Sequence, residues 1–228
     1  MPALRADWLT QTFLHWAYDP DLIQRQLPDG LRVDTYDGYA WVGVTPFVMA
    51  DVRPPGSPVA LAAFPETNLR TYVRGPGGRE GLWFLSIEVA SPVMLAARAI
   101  GAPYHLGRLR LACSGERVTY AGSRRGGESA YRLSVRPGPP IRPARRDVWL
   151  ASRWRAFTHS AGVLWETPVE HEPWPLRAAR LDDLAESMTR AAGLSAPAEE
   201  PLVHFSDGVH KVRIGFSRPV RPQRMRQG

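Results

Sequence analysis

Leu31-Arg-Val-Asp-Thr-Tyr-Asp-Gly-Tyr-Ala-Trp-Val-Gly-Val-Thr-Pro-Phe-Val48 reads as two extended segments on either side of Asp37-Gly38. β-Branched and aromatic residues fit a pleated, half-buried surface, and Asp-Gly tolerates the positive φ values of a two-residue hairpin turn. The stretch therefore predicts two antiparallel strands, Leu31 to Tyr36 and Tyr39 to Val48. Outward from it the same pattern recurs. Thr67 to Val73 and Leu82 to Val89 flank the turn-forming Gly75-Pro-Gly-Gly-Arg-Glu-Gly81, which predicts a second hairpin. Further strands are expected at His105 to Ala112, Glu116 to Ser123, Ala130 to Arg136, Val163 to Val169 and Val209 to Phe216.

Helix signals are fewer. Asp19-Pro20 supplies an N-cap and a first-turn proline for Asp21 to Leu27, which Pro28-Asp29-Gly30 stops. Ser91-Pro92 opens a helix through Ile100, with Gly101 suited to its C-terminal cap. Asp147 is placed to cap a helix over Val148 to Phe157, and Asp182 to Gly193 reads as another, with Leu184, Met188 and Ala191 on one face. Many short strands with a few interspersed helices predict an α+β, mostly β protein: an antiparallel sheet or β-barrel with short flanking helices rather than a doubly wound parallel sheet. Without a repeat or a linker, residues 1–217 read as one domain. Residues 218–228, rich in Arg and Pro, read as a flexible basic tail.

Composition narrows the function classes. A chain of 228 residues, 44% hydrophobic with eight Trp and seven Phe, has material for one large core. It lacks a secretory h-region and any apolar run near the roughly 20 residues of a membrane span, so a soluble, cytoplasmic protein without membrane partners is expected. Cys113 is alone, which leaves no internal disulfide and no local thiol partner for a metal. The charge of +7 comes from 29 basic residues, of which only Lys211 is lysine. The arginines are scattered and accompany no helix-turn-helix, RNP or zinc-finger pattern, so nucleic acid is not an expected partner. His15, His159, His171, His204 and His210 make no zinc spacing, and Gly75-Pro-Gly-Gly lacks the Gly-Lys-Ser/Thr ending of a phosphate loop. No Gly-x-Ser-x-Gly elbow is present. No metal and no cofactor are expected.

Several stretches together resemble the YqjF-like, DUF2071 family of uncharacterised proteins. They are His15-Trp16 before an Asp-Pro helix, Gly38 to Phe47, Pro65-Glu-Thr-Asn-Leu-Arg-Thr-Tyr-Val73, Gly81 to Ser86, Pro103-Tyr-His105, His171-Glu-Pro-Trp-Pro-Leu176 and His204-Phe-Ser206. The resemblance runs from Trp8 to about Phe216 and implies an acetoacetate-decarboxylase-like β-barrel enclosing a small, largely apolar cavity. In the decarboxylase the reactive lysine follows a Gly-aromatic-Pro segment as the first of two lysines. The matching segment here is Gly101-Ala-Pro-Tyr-His105, so Tyr104 and His105 replace the pair. Tyr104 cannot form an imine, which argues against Schiff-base decarboxylation.

Glu66, Asn68, Arg70 and Tyr72 alternate with Thr67, Leu69, Thr71 and Val73 and share one strand face. Pattern alone turns that face toward solvent. The resemblance turns it inward, because a glutamate in the corresponding stretch of the decarboxylase helps line its cavity. Glu66 and Arg70 would stand about 13 Å apart along the strand, too far to pair directly. Arg70 is then suited to a carboxylate or enolate oxygen and Glu66 to proton handling, with Asn68 as a further ligand contact. Tyr104 and His105 follow a proline and point to opposite sides of their strand. Tyr104 is the preferred catalytic hydrogen-bond donor beside Glu66, and His105 and His15 are weaker ligand contacts. Trp83 is expected as a binding wall, because positions 83, 85, 87 and 89 form one apolar face.

These residues point to a small-molecule-binding protein for a compact organic acid or carbonyl compound, with non-Schiff-base lyase or proton-transfer chemistry as the activity they could support. Residue types leave open whether it turns over and whether it is a homo-oligomer. The alternative is a non-catalytic interaction or structural protein with a filled barrel and a basic exterior. A cavity above about 300 Å³ with Arg70 inside it would separate the two.

Overall fold

The Asp37-Gly38 turn closes as its sequence predicts in the computed structural model, which describes residues 2–220. Both residues are left-handed, with φ of 51° and 82°, and Tyr36 pairs with Tyr39 across them. The chain begins with β1 (Leu4–Tyr18) and α1 (Pro20–Gln24), where the Asp19 carboxylate accepts from the Asp21 N–H at 2.8 Å. β2 (Arg32–Val33) and β3 (Thr35–Tyr36) lead to three long strands, β4 (Tyr39–Arg53), β5 (Phe64–Arg74) and β6 (Glu80–Val89). A 3-10 helix, Pro92–Ile100, joins β6 to β7 (Tyr104–Ser114), and Gly101 caps it in the left-handed region at φ 81°. β8 (Arg117–Arg124), β9 (Ala130–Pro140), α2 (Arg145–Ala151), β10 (Arg155–Ser160) and β11 (Val163–Glu170) follow. The described chain is completed by β12 (Leu176–Glu186), α3 (Met188–Ala191), β13 (Leu202–Ile214) and β14 (Arg218–Pro219).

The fold is mostly β with few helices. Hydrogen-bonded neighbours run β14-β11-β10-β6-β7-β8-β9-β12-β13-β1-β4-β5-β2, with β3 on β4 and additional pairings of β5 with β6 and β11 with β13. Most neighbours are antiparallel, but β6 pairs in parallel with both β7 and β10, a departure from the all-antiparallel expectation. The first of these joints follows from the Pro92–Ile100 connection, which carries the chain back along the sheet before β7 begins. Of the expected tail, Arg218–Pro219 pairs with β11 and the Val220 N–H donates to Leu164 O, while residues 221–228 lie outside the described residues. Among the described residues no helix is long and apolar enough to cross a membrane.

Two expected helices give way to strands. The helix after Asp147 stops at Ala151, and Asp147 occupies its third position, accepting from the Ala144 N–H at 2.8 Å. Ala156 and Phe157 belong instead to β10, opposite Leu82 and Trp83 of β6. Phe157 is fully buried there, against the bare backbones of Gly75 and Gly81, and that packing outweighs local helix propensity. In the second case, Asp182 to Glu186 continue β12 along β9, and only Met188–Ala191 is helical. A register shift between Leu181 and Asp183 places one extra residue in the strand. Leu181 and Leu184, both packed on the same core, thus acquire the three-residue spacing of a helix face. The bulge also lets consecutive carboxylates serve separate arginines of β9, Asp182 to Arg136 and Asp183 to Arg132, each at 2.8 Å.

The strand that organises the interior is β5. On its odd face Leu69 packs in the main core with Leu14, Val44, Tyr131 and Leu133, and Val73 packs in a separate group with Leu31 and Phe157. Its even residues face a second apolar group built on Phe47, Met49, Ile87 and Tyr104, and the cavity described next. Both faces are buried, so the Glu66, Asn68 and Arg70 face does not look into solvent.

Candidate functional site

A cavity of about 450 Å³ lies against the even face of β5. Trp8 and Gln11 of β1, Phe47 and Met49 of β4, and Leu82, Phe84 and Ile87 of β6 contribute to its walls. Met94, Ala97 and Ile100 of the 3-10 helix form an apolar ledge, and Tyr104 enters at the first residue of β7. Arg153, Arg155 and the loop residues His171 and Trp174 line another part.

Several polar atoms within this apolar enclosure have no protein partner. Gln11 Oε1, Glu66 Oε2, Asn68 Oδ1 and Arg70 Nε are buried and make no hydrogen bond among the described residues. Leaving such a group without any partner costs about 1–3 kcal/mol, and more when it is charged, so the convergence of these four on one cavity distinguishes it from the rest of the interior. Arg70 is 7% exposed, and its guanidinium carbon lies 5.7 Å from the centre of the Phe13 ring. The other two cavity arginines also leave Nε without a hydrogen-bond partner but are engaged through their terminal nitrogens. Arg153 Nη2 donates to Asp34 at 3.2 Å, and Arg155 Nη1 donates to the Glu80 carbonyl at 3.0 Å. Unlike these two, Arg70 forms no ion pair with a carboxylate among the described residues.

Glu66 is 4% exposed, and burial pushes its carboxyl up to about 8, opposed by the hydrogen-bonding hydroxyl of Tyr104. It is therefore mostly protonated near neutral pH. The Tyr104 hydroxyl is itself raised well above its ordinary range, first by burial and then by the Glu66 charge, so it stays a neutral donor. One unionised carboxylic acid, one phenol and one guanidinium without a carboxylate partner can together orient a carboxylate and exchange a proton with a neighbouring carbonyl or enol oxygen.

Of the residues singled out from sequence, Glu66, Asn68, Arg70 and Tyr104 meet on this cavity. Trp83 does not line it. A bulge lies in β6, where Leu69 faces Ser86 but Arg70 faces Phe84. The extra residue, Leu85, inverts the alternation, so Leu82 and Phe84 share the cavity side with Ile87 while Trp83 packs near Leu31, Val73 and Phe157. His105 lies opposite Glu88 on the other side of β7 from Tyr104, half-buried, its pKa lowered by burial and then by Arg124. His15 sits one layer behind the wall. Tyr72 donates to the Leu150 carbonyl at 2.6 Å, so the His15 Nε2–H, 2.8 Å away, donates to Tyr72. Burial and the Arg70 charge hold His15 well below its ordinary 6.5, which keeps it neutral. His204 lies 3.4 Å from Asp147, outside the cavity.

Sequence reasoning assigned no place here to Gln11, Arg153, His171 or Trp174. β1 carries no alternation to reveal Gln11, because Gln11 to Trp16 are all buried between β13 and β4. His171 and Trp174 had a signal, the His171-Glu-Pro-Trp-Pro-Leu176 stretch, but nothing local that fixed their role. No lysine lines the cavity, and Lys211 is exposed on β13. Among the described residues, no three His, Cys, Asp or Glu side chains come together as a metal site.

Comparison with known proteins fits this architecture. Residues 5–210 match the model of the DUF2071 family, described as an uncharacterized conserved protein. The uncharacterized protein YqjF of Bacillus subtilis (strain 168) is 31% identical over 211 residues, covering 89% of this chain and 87% of that protein. Among solved structures, an acetoacetate decarboxylase-like enzyme from Sphingomonas wittichii RW1 superposes with a TM-score of 0.65 at 20% identity, covering 97% of this chain and 94% of the other. The enduracididine biosynthesis enzyme MppR complexed with pyruvate gives 0.67 at 17% identity, covering 98% and 93%. Acetoacetate decarboxylase from Legionella pneumophila gives 0.64 at 13% identity, covering 98% and 88%. At these identities the structural likeness establishes the fold alone.

Proposed function

We propose that this chain, which belongs to the DUF2071 family of uncharacterized conserved proteins, binds a small organic acid or carbonyl compound in the cavity beside β5. On this reading the sheet closes as a barrel around the cavity, supported by the return pairings of β5 with β6 and β11 with β13. One observation carries the proposal: the buried guanidinium of Arg70, which forms no ion pair among the described residues, and the buried carboxyl of Glu66 share a largely apolar cavity of about 450 Å³. That volume exceeds the roughly 300 Å³ at which ligand pockets begin, which favours ligand binding over a filled interior. Arg70 receives the ligand carboxylate, while Asn68, Glu66 and Tyr104 reach its carbonyl or hydroxyl oxygens. The chemistry available is proton transfer or elimination next to a carbonyl. Imine formation lacks its amine, since Tyr104 stands where the resemblance places the reactive lysine.

The test is a thermal-shift screen against short 2-oxo acids, hydroxy acids and lactones, with Arg70→Ala in parallel. A ligand present at 100 times its Kd should add about 2.7 kcal/mol, or roughly 5–10 °C for a domain of this size. An acid that shifts the wild type but not Arg70→Ala supports the clamp. No shift from any acid would refute the proposed binding.

A further inference from the structure

His171 lines the cavity, yet ligand capture by Arg70 leaves it without a task. It lies between β11 and β12 on a segment stiffened by Pro173 and Pro175, and the loop is tied to β13 by the Glu172 carboxylate, which accepts from the His210 N–H at 3.2 Å. Its ring is enclosed by indoles, with centroid separations of 4.7 Å to Trp154, 5.2 Å to Trp174 and 5.5 Å to Trp8. His171 Nδ1 lies 2.6 Å from the Glu172 carbonyl oxygen. A carbonyl oxygen can only accept, so Nδ1 carries the hydrogen and Nε2 of the neutral ring keeps its lone pair. The packing thus holds an imidazole in one orientation and one tautomer at the cavity wall.

We propose that His171 is a catalytic base in this cavity, removing a proton from the carbon beside the carbonyl of a 2-oxo acid whose carboxylate rests on Arg70, while Glu66 protonates the carbonyl oxygen. The inference rests on the ligand-binding reading above and adds to it a substrate class and a reaction. The C–H electron pair becomes the new C=C bond, the carbonyl π pair moves to oxygen, and that oxygen takes the Glu66 proton. His171 finishes as imidazolium and Glu66 as carboxylate, so the net charge is unchanged and the product is the enol. Reversal restores both groups without any further reactant.

The surroundings prepare both partners. Burial, followed by opposition from Arg70 on β5, holds His171 below its ordinary 6.5. The Glu172 carbonyl and carboxylate, on its own loop, pull the other way, and the side chains packed on it from β1, Trp154 and Trp174 are uncharged indoles. Glu66 is displaced in the opposite sense, which makes His171 the unprotonated member and Glu66 the proton donor near neutral pH. Cavity size sets the rest of the substrate. About 450 Å³ equals the share of some fifteen liquid waters at about 30 Å³ each. That is far more than a three-carbon acid fills, and the Trp8 and Trp174 walls suit an aromatic substituent.

Phenylpyruvate in D2O is the probe, with loss of its methylene proton signal above the buffer rate followed by NMR on the full-length protein. The wild type should catalyse exchange, and His171→Gln should lower that rate about a hundredfold or more while retaining the thermal shift with phenylpyruvate. His171→Asn, run alongside, guards against loss of folding in one variant. Wild-type exchange rates in a folded His171 variant would overturn the assignment. A thermal shift without wild-type exchange would overturn it too, leaving the ligand-binding reading intact. Absence of both shift and exchange with phenylpyruvate and with the wider acid panel would remove both readings.

Discussion

Replacing Glu66 by Gln should change how stability depends on pH. The folded protein holds this carboxyl at about 8, against an ordinary 4.5, chiefly by burial. The sign follows from proton binding. Below pH 4.5 the group is protonated in both states and contributes nothing to the slope; between 4.5 and 8 the unfolded chain ionises while the folded one keeps its proton. Wild-type stability is therefore lost as pH rises through this window, at up to about 1.4 kcal/mol per pH unit, and levels off above pH 8. Over the full interval the ceiling is about 5 kcal/mol, and between pH 5 and 7.5 about 3 kcal/mol. Glu66→Gln keeps the shape and removes the titration. Urea unfolding of both proteins at pH 5, 6, 7 and 7.5, with unchanged m-values, gives the comparison. His15, His171 and His204, all held below their ordinary 6.5, add stability with rising pH in both proteins and cancel in the difference. Near-equal stability at pH 5, with the variant pulling ahead by about 3 kcal/mol at pH 7.5, is expected. Parallel curves would show that Glu66 ionises normally, and would remove the proton donor from the proposed chemistry.

Two further predictions concern the frame of the cavity. Gly101 combines a φ of 81° with a position where an added Cβ would overlap the His159 carbonyl, so Gly101→Ala should cost about 3 kcal/mol in urea unfolding, and a cost below about 1 kcal/mol would contradict the observed packing of the 3-10 helix on β10. Arg124 Nη2 lies 2.6 Å from the buried Glu88 carboxylate, which also accepts from Ser86 at 2.9 Å; Arg124→Met should cost about 3 kcal/mol by stranding that charge, and Glu88→Gln in the same chain should restore most of the loss, giving a coupling that a double-mutant cycle measures.

Some of this molecule was legible in residue order because its causes are local. Asp37-Gly38 needs two positive φ values and forms a hairpin wherever strands flank it, and Asp19-Pro20 and Gly101 mark helix ends through their own backbone chemistry. The alternation of Glu66, Asn68 and Arg70 put three side chains on one face before any partner was known, and the step from Tyr104 to His105 reversed direction for the same reason. The face that was inward, and the company it kept, were not local matters. β5 is buried on both faces because distant segments cover them, Tyr131 and Leu133 of β9 on one side and the 3-10 helix and Tyr104 on the other, and alternation is silent about a strand with two interiors. A single extra residue in β6 moved Trp83 out of the cavity and Phe84 into it, and another in β12 gave a strand the spacing of a helix. His171 reached Arg70's neighbourhood across a hundred residues of chain, through a proline-stiffened loop and a stack of indoles. Sequence determined the short-range conformations and the chemistry available on each strand. Only tertiary structure decided which of those groups share a largely apolar cavity, because register shifts and long-range burial arise from packing between segments that no local pattern encodes.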